Sequence, residues 1–153
     1  MKPIKLISWF LGIGMFLFGI LKVISPTIHG WFTVQMTNSG LAAYIPIGVG
    51  IAGEIAVGTA LLLSLLIDKN LANKKFMLII QLASAAILPM MATAIYVHLQ
   101  PNVPAEVLPL KIKSPFIPVF FLLLALTNIY LIQVKQKTLI MQKARLSRIS
   151  KIV

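Results

Sequence analysis

Cysteine is absent from this chain of 153 residues, and only three residues are acidic. Without thiols the chain cannot form disulfides, cysteine-ligated iron–sulfur clusters, thiolate zinc sites or a Cys-x-x-Cys redox centre. Two histidines and seven methionines are the remaining side chains able to ligate a redox metal. Thiol-based redox chemistry is therefore excluded from what the chain can do by itself.

Charged residues of both signs are scarce. They make up 11% of the chain, whereas soluble domains average about 25%. Hydrophobic residues make up 59% of the chain, and the mean hydropathy is +0.96. This composition excludes an ordinary soluble domain, a disordered chain and a coiled coil, and it favours an integral membrane protein.

Four apolar segments predict an all-α, integral membrane four-helix bundle as the domain of residues 1–134. The segments are residues 4–24, 44–67, 76–98 and 116–134. At ~1.5 Å per residue, each is long enough to cross a hydrocarbon layer of ~30 Å. The first segment has the alternative of a signal peptide. We favour a retained helix, since the run is long and no small-residue cleavage site follows it closely.

The cations predict the orientation of the bundle. Eleven of the 14 Lys and Arg residues lie at the N-terminus, between the second and third segments, or after the fourth. The other three are Lys22, Lys111 and Lys113. The excess of cations on cytoplasmic segments then predicts that both termini are cytoplasmic, in a multi-pass protein of the cytoplasmic membrane.

The two predicted outer connections have unusual compositions. Residues 25–43 carry no charge but include aromatic residues, which favours a position in the membrane interface. Residues 99–115 contain four prolines, so this stretch is expected to be stiff and non-helical. We expect both to be ordered, either as rigid connectors or as a cap over an outward-facing pocket.

The C-terminal residues 135–153 form a basic tail. Apolar residues are interspersed among its cations, as in segments that lie on an anionic inner leaflet. We expect membrane lipids to be the partner of this tail, and we do not expect it to bind nucleic acid.

Small residues predict how the second helix packs. Gly48, Ala52, Ala56 and Ala60 recur every four residues and so share one face of a helix. Because small residues let helices approach closely inside a membrane, we expect this row to pack against neighbouring helices.

Glu54 is the strongest candidate for a functional residue. Counted from Tyr44 it lies ~15 Å deep, near the membrane midplane, where an ionisable group is costly and usually functional. Gly50 and Gly58 flank it and leave room for a side chain, a water molecule or a ligand. Ser84 and Asn128 lie at similar predicted depths on other helices. We expect the three polar side chains to hydrogen-bond one another, either as a clasp that sets helix register or as a ligand or proton site.

Lys22 and His98 complete the candidate site. Lys22, near the outer end of the first helix, either extends towards the interface or pairs with Glu54. We expect Glu54 to point into the bundle and, because of burial, to be neutral for much of the time; an inward pair with Lys22 would contradict that expectation. His98 ends the third helix. Haem bound between helices needs two facing histidines, and only His98 is predicted to be helical. We therefore expect no cofactor and no metal site.

Three stretches of this sequence resemble the DoxX-like family of small bacterial membrane proteins. The first is Phe18-Gly19-Ile20-Leu21-Lys22 followed by Pro26, and the second is the glycine-rich helix that carries Glu54. The third runs from His98-Leu99-Gln100-Pro101 through Leu108-Pro109-Leu110 to Pro115-Phe116-Ile117-Pro118, followed by Asn128. The resemblance implies a four-helix bundle in the cytoplasmic membrane that works beside membrane-associated oxidoreductases.

These observations favour a non-catalytic membrane protein, namely a scaffold or a quinone- or lipid-binding subunit of an oxidoreductase system. The alternative is a small carrier or chaperone for a hydrophobic or weakly acidic molecule, which would use an outward-facing pocket and Glu54. A membrane enzyme is the third interpretation.

Overall fold

Helices account for most of the computed structural model, which describes residues 2–68 and 73–149, with side chains as far as Met141. The described residues form five α-helices: α1 (Lys2–Ile24), α2 (Pro26–Asn38), α3 (Ile47–Ile67), α4 (Lys74–Leu99) and α5 (Phe116–Ile149). Short 3₁₀ turns lie at Leu41–Ala43, Ala105–Val107 and Pro109–Lys111.

Four helices are long and apolar enough to cross a membrane: α1, α3, α4 and the part of α5 from Phe116 to Met141. The predictions of an all-α fold and of four spanning helices are confirmed, and by length and composition the chain is a multi-pass membrane protein. Helix α5 continues well past residue 134, so the first part of the predicted tail extends a spanning helix. The predicted contact between tail and lipid depends mainly on side chains after Met141, outside the described residues.

The predicted first outer connection contains a helix. Pro26 occupies the first turn of α2, where a backbone N–H would have no partner within the helix, so proline is tolerated there. The Ser25 hydroxyl caps the helix by accepting a hydrogen bond from the backbone N–H of Ile28 at 3.4 Å. Helix α2 therefore begins almost directly after α1 ends at Ile24.

The spanning helices surround one apolar core. Helix α1 packs against α3 and α5, and α4 packs against the same two helices from the opposite side. Fully buried side chains fill the centre, among them Leu11, Met15, Leu61, Ile80, Ile87 and Ala125. The bundle order is therefore α3, α1, α5, α4.

Glycines allow α1 and α3 to pack closely. A Cβ atom added to Gly58 would lie 2.4 Å from the backbone nitrogen of Phe16, and one added to Gly19 would lie 2.9 Å from that of Ile55. A side chain at either position would separate the two backbones. Helices this close require glycine at the contact. The main packing surface of α3 towards α1 is therefore the face that carries Gly58, and not the row Gly48, Ala52, Ala56 and Ala60.

The prediction for that row is confirmed only for Ala60, which is half-buried and packs against the apolar core. Gly48, Ala52 and Ala56 are exposed, because α1 and α4 cover other faces of α3. These three residues lie along the outside of the bundle, where they adjoin two surface grooves.

The two connections 25–46 and 100–115 meet at the end of the bundle where α1 and α4 finish, which we name the capped end. The Asn38 side chain donates to the Asn102 carbonyl at 2.9 Å, and the Gln35 side chain donates to the Val107 carbonyl. Beneath these bonds Val97, Val103 and Leu108 form a second, smaller apolar cluster. The pair of connections, named the cap, therefore has its own buried residues.

Candidate functional site

Lys22 and Glu54 form an ion pair between α1 and α3. The Lys22 Nζ atom lies 2.5 Å from Oε1 and 2.6 Å from Oε2 of Glu54, and each side chain is 14% exposed. Both carboxylate oxygens therefore accept from one ammonium. Of the two alternatives for Lys22, the structure shows the inward pair. The expectation that Glu54 is mostly neutral depended on Lys22 not reaching inward, so it fails here, whereas a functional role for Glu54 stays a prediction.

An aromatic ring completes the surroundings of the ammonium. The Lys22 Nζ atom lies 4.1 Å from the ring centroid of Phe32 in α2, a distance at which the ring face attracts a cation. The same ring fills the space next to Gly50, where an added Cβ would lie 3.1 Å from Cζ of Phe32. The backbone of Phe16 fills the space next to Gly58. The room that these glycines were expected to leave for a ligand is thus occupied by the protein.

Glu54 lies nearer the capped end than the sequence predicted. Helix α3 begins at Ile47 and not near Tyr44, so Glu54 is seven residues, or ~10 Å, from the helix start. Its Cβ atom lies beside Gly19, close to the end of α1. The distance of ~15 Å counted from Tyr44 therefore becomes ~10 Å from the helix start, because Tyr44 lies outside the helix, and the position of Glu54 near the midplane stays a prediction.

A second polar group lies in the centre of the bundle. The Asn128 side-chain amide donates to the hydroxyl oxygens of Ser8, at 2.9 Å, and of Ser84, at 3.0 Å. All three side chains are fully buried. Among the residues that the structure describes, none donates a hydrogen bond to the Oδ1 atom of Asn128. This cluster ties α1, α4 and α5 together, as a structural clasp would.

The prediction that Glu54, Ser84 and Asn128 hydrogen-bond one another is confirmed for Ser84 and Asn128 and wrong for Glu54, because the two polar groups do not meet. Ser8 lies eleven residues before Gly19 on the same helix, which corresponds to ~17 Å along its axis. Glu54 lies level with Gly19, and Asn128 lies level with Ser8. Glu54 therefore pairs with Lys22. Ser8 occupies the position beside Asn128 that was predicted for Glu54.

Ser8 was missed by the sequence analysis. Its only sequence signal is that it is a hydroxyl residue within an apolar, uncharged run. A search for lone polar residues in each spanning segment would have found it.

His98 belongs to the cap. It is 3% exposed, and its Nδ1 atom donates to the backbone carbonyl of Lys113 at 3.3 Å. The Lys113 ammonium in turn donates to the carbonyls of Gln100, at 2.5 Å, and Val103. His98 therefore holds the connection 100–115 against α4. The sequence analysis had grouped His98 with Lys22 and Glu54 in one candidate site, but His98 does not contact that pair.

Pro26 accounts for the position of His29. In a continuing helix the Lys22 carbonyl would accept from the N–H four residues later, but that residue is Pro26, which has none. The His29 Nδ1 atom donates to this carbonyl instead, at 3.1 Å. The bond turns the exposed imidazole of His29 towards the end of α1, next to the ion pair.

Two grooves lie along α3. The first, named the charged groove, has a volume of about 400 Å³ and is lined by Lys22, Val23, His29, Gly48, Ile51, Ala52 and Ile55. The second, named the apolar groove, has a volume of about 310 Å³ and lies between α3 and α4, lined by Ala56, Val57, Ala60, Ile79, Leu82, Ala83 and Ala86. Both include exposed residues, so they are open surface features that membrane lipid can reach.

Among the described residues, no group of three or more His, Cys, Asp or Glu side chains is placed to hold a metal ion. No protein-family model matches the chain, and neither the curated proteins nor the solved structures contain a match to it. The functional argument therefore depends on the geometry of the ion pair and its groove.

Proposed function

We propose that this chain is a non-catalytic, DoxX-like protein of the cytoplasmic membrane that binds a quinone or lipid as a subunit of a membrane-associated oxidoreductase system. The observation that carries the proposal is that Lys22, which forms an ion pair with Glu54, lines the charged groove. A charged pair is costly to keep away from water within a membrane protein. A neighbouring groove with apolar walls gives it contact with the polar end of an amphiphile.

The proposed orientation has both termini in the cytoplasm and the cap on the outer side. Eleven cations lie at Lys2 and Lys5, between Ile67 and Phe76, or from Lys135 onward, whereas the capped end carries Lys22, Lys111 and Lys113. This asymmetry supports the proposed orientation by the positive-inside rule. In that orientation the charged groove lies in the outer leaflet and the basic end of α5 meets the anionic inner leaflet.

The proposal is tested by purifying the tagged chain from its native membrane in lipid nanodiscs. Bound proteins are identified by mass spectrometry, and retained quinones and lipids are extracted and quantified. We expect an oxidoreductase subunit in fixed stoichiometry together with a retained quinone or lipid. The Glu54→Ala chain, purified in the same way, is the matched control and should lose the retained molecule.

Two other outcomes discriminate between functions. Retention of one lipid-like molecule with no protein partner would favour the carrier. Turnover of a quinone by the purified chain alone would overturn the non-catalytic assignment.

A further inference from the structure

The second connection of the cap projects an apolar side chain. Leu110 lies in the 3₁₀ turn Pro109–Lys111, which we name the tip, and it is 80% exposed. Leu108, two residues earlier, is fully buried in the apolar cluster of the cap. The chain therefore turns from the interior of the cap to its surface within two residues, and the protein covers little of the leucine at that surface.

The backbone holds the tip in an unfavourable conformation. Leu110 has a φ of 54° and Lys111 a φ of 57°, and among the described residues they are the only ones other than glycine with positive φ. Bulky side chains disfavour this left-handed region. The Lys111 N–H donates to the Leu108 carbonyl at 2.9 Å, and the Ile112 N–H donates to the Pro109 carbonyl at 3.2 Å. These bonds fix the direction in which the tip leaves the cap.

The tip lies near the level at which α4 ends. The Lys113 ammonium donates to the Gln100 carbonyl at 2.5 Å, and His98 Nδ1 donates to the Lys113 carbonyl at 3.3 Å. Residue 113 is therefore held at the end of this spanning helix. Leu110 is three residues away, so its Cα atom is no more than ~11 Å from that of Lys113. Because spanning helices end where hydrocarbon meets lipid headgroups, the tip is within reach of that interface.

We propose that the tip is a membrane anchor of the cap, in which Leu110 inserts between phospholipid acyl chains at the capped end and Lys111 contacts lipid phosphate. The charge of the connection fits this surface, since residues 100–115 carry two lysines and one acid, Glu106. A lysine next to an inserted apolar residue can keep its ammonium at the headgroups. The inference goes beyond the proposed function, because it concerns how the cap is held and needs no ligand in a groove.

The first measurement is the depth of a nitroxide attached at residue 110. Because the chain has no cysteine, Leu110→Cys provides a single labelling site. In nanodiscs of phosphatidylcholine and phosphatidylglycerol we expect the label to collide more with oxygen, which concentrates in lipid, than with a water-soluble nickel chelate. Phe120→Cys, at an exposed position within the spanning part of α5, is the reference for lipid. Glu106→Cys, at an exposed position of the same connection, is the reference for water.

The second measurement uses the natural side chain as its reference. Asparagine tolerates positive φ better than leucine, so Leu110→Asn relieves the backbone while it removes the apolar side chain. If lipid covers Leu110, the amides of residues 100–115 should exchange hydrogen about tenfold faster in Leu110→Asn nanodiscs, because the cap has lost its anchor. Leu110→Met keeps an apolar side chain of similar volume and should exchange at the natural rate.

Three results would overturn the inference. A label at residue 110 that behaves like the label at Glu106→Cys would place the tip in water. Exchange in Leu110→Asn that is equal to or slower than in the natural chain would show that Leu110 has no stabilising contact. Magnetic broadening between labels at residue 110 would show that a second copy of the chain covers the tip. The proposed function would survive each result, since none of them measures the retention of a quinone or lipid.

Discussion

Gly58→Ala is expected to push α1 and α3 apart, and the size of the effect follows from the geometry. The added Cβ atom would lie 2.4 Å from the backbone nitrogen and 2.7 Å from the Cα atom of Phe16, whereas ordinary contact begins at 3.4 Å. The helices must therefore separate locally by about 1 Å, since backbone atoms within a helix have no rotamer by which to move aside.

Two terms of opposite sign determine the change in stability. Overpacking costs about 1–3 kcal/mol, with the upper end expected where backbone is the obstacle. Replacement of glycine by alanine inside a helix returns about 0.5–1 kcal/mol. The net expectation is a loss of about 2 kcal/mol in the free energy of unfolding. The Lys22–Glu54 pair, one helical turn from Gly58, also bridges α1 and α3 and should lengthen as they separate.

The matched control is Gly48→Ala on the same helix. A Cβ atom at Gly48 would meet nothing within 4 Å, so this variant should be as stable as the natural chain or slightly more stable. Both variants are compared by thermal unfolding in one detergent and by titration with sodium dodecyl sulfate. Equal stability of Gly58→Ala and Gly48→Ala would refute the close packing of α1 on α3.

Three further predictions concern charge, buried polarity and orientation. Glu54→Gln leaves Lys22 without a counter-charge and should lower the free energy of unfolding, measured by thermal melts, by about 3 kcal/mol. The added change Lys22→Met should restore much of the lost stability. If the double variant is no more stable than Glu54→Gln, the two residues are not a coupled pair. Asn128→Ala removes two buried hydrogen bonds and should lower the free energy of unfolding by about 1–3 kcal/mol. The control Asn102→Ala, at an exposed position, should change the stability little. Equal losses of stability in the two variants would refute the buried clasp. Because the chain has no cysteine, single cysteines at Asn102 and Asn73 can be labelled in intact cells with an impermeant thiol reagent; labelling is expected at Asn102 alone, and labelling at Asn73 alone would reverse the proposed orientation.

Periodic and compositional signals carried most of what could be predicted about the fold. An apolar run of about 20 residues can satisfy its backbone in a membrane only as a helix, so four such runs determine four helices without knowledge of their contacts. The importance of Glu54 could be predicted for the same reason, since an acid in such a run is costly wherever its partners lie. Helix α2 was not predicted, because its start depends on the cap at Ser25 and on Pro26, and its amphipathic pattern is weak.

Partners depend on register, which sequence spacing alone does not determine. Which residues on different helices lie at the same level can be predicted only when the starts and tilts of those helices are known. A three-residue error at the start of α3 shifted the predicted level of Glu54 by ~5 Å. The tertiary structure pairs Glu54 with Lys22 and Asn128 with Ser8, ~17 Å apart along α1. It also decides which small residues face a neighbour: Gly58 contacts the backbone of Phe16, while Ala52 and Ala56 face outward. The apolar runs of the sequence alone determined that this chain enters a membrane as helices, because each run satisfies its backbone locally. Which side chains meet was decided by how the helices pack on one another, because each such contact depends on the surfaces of two helices.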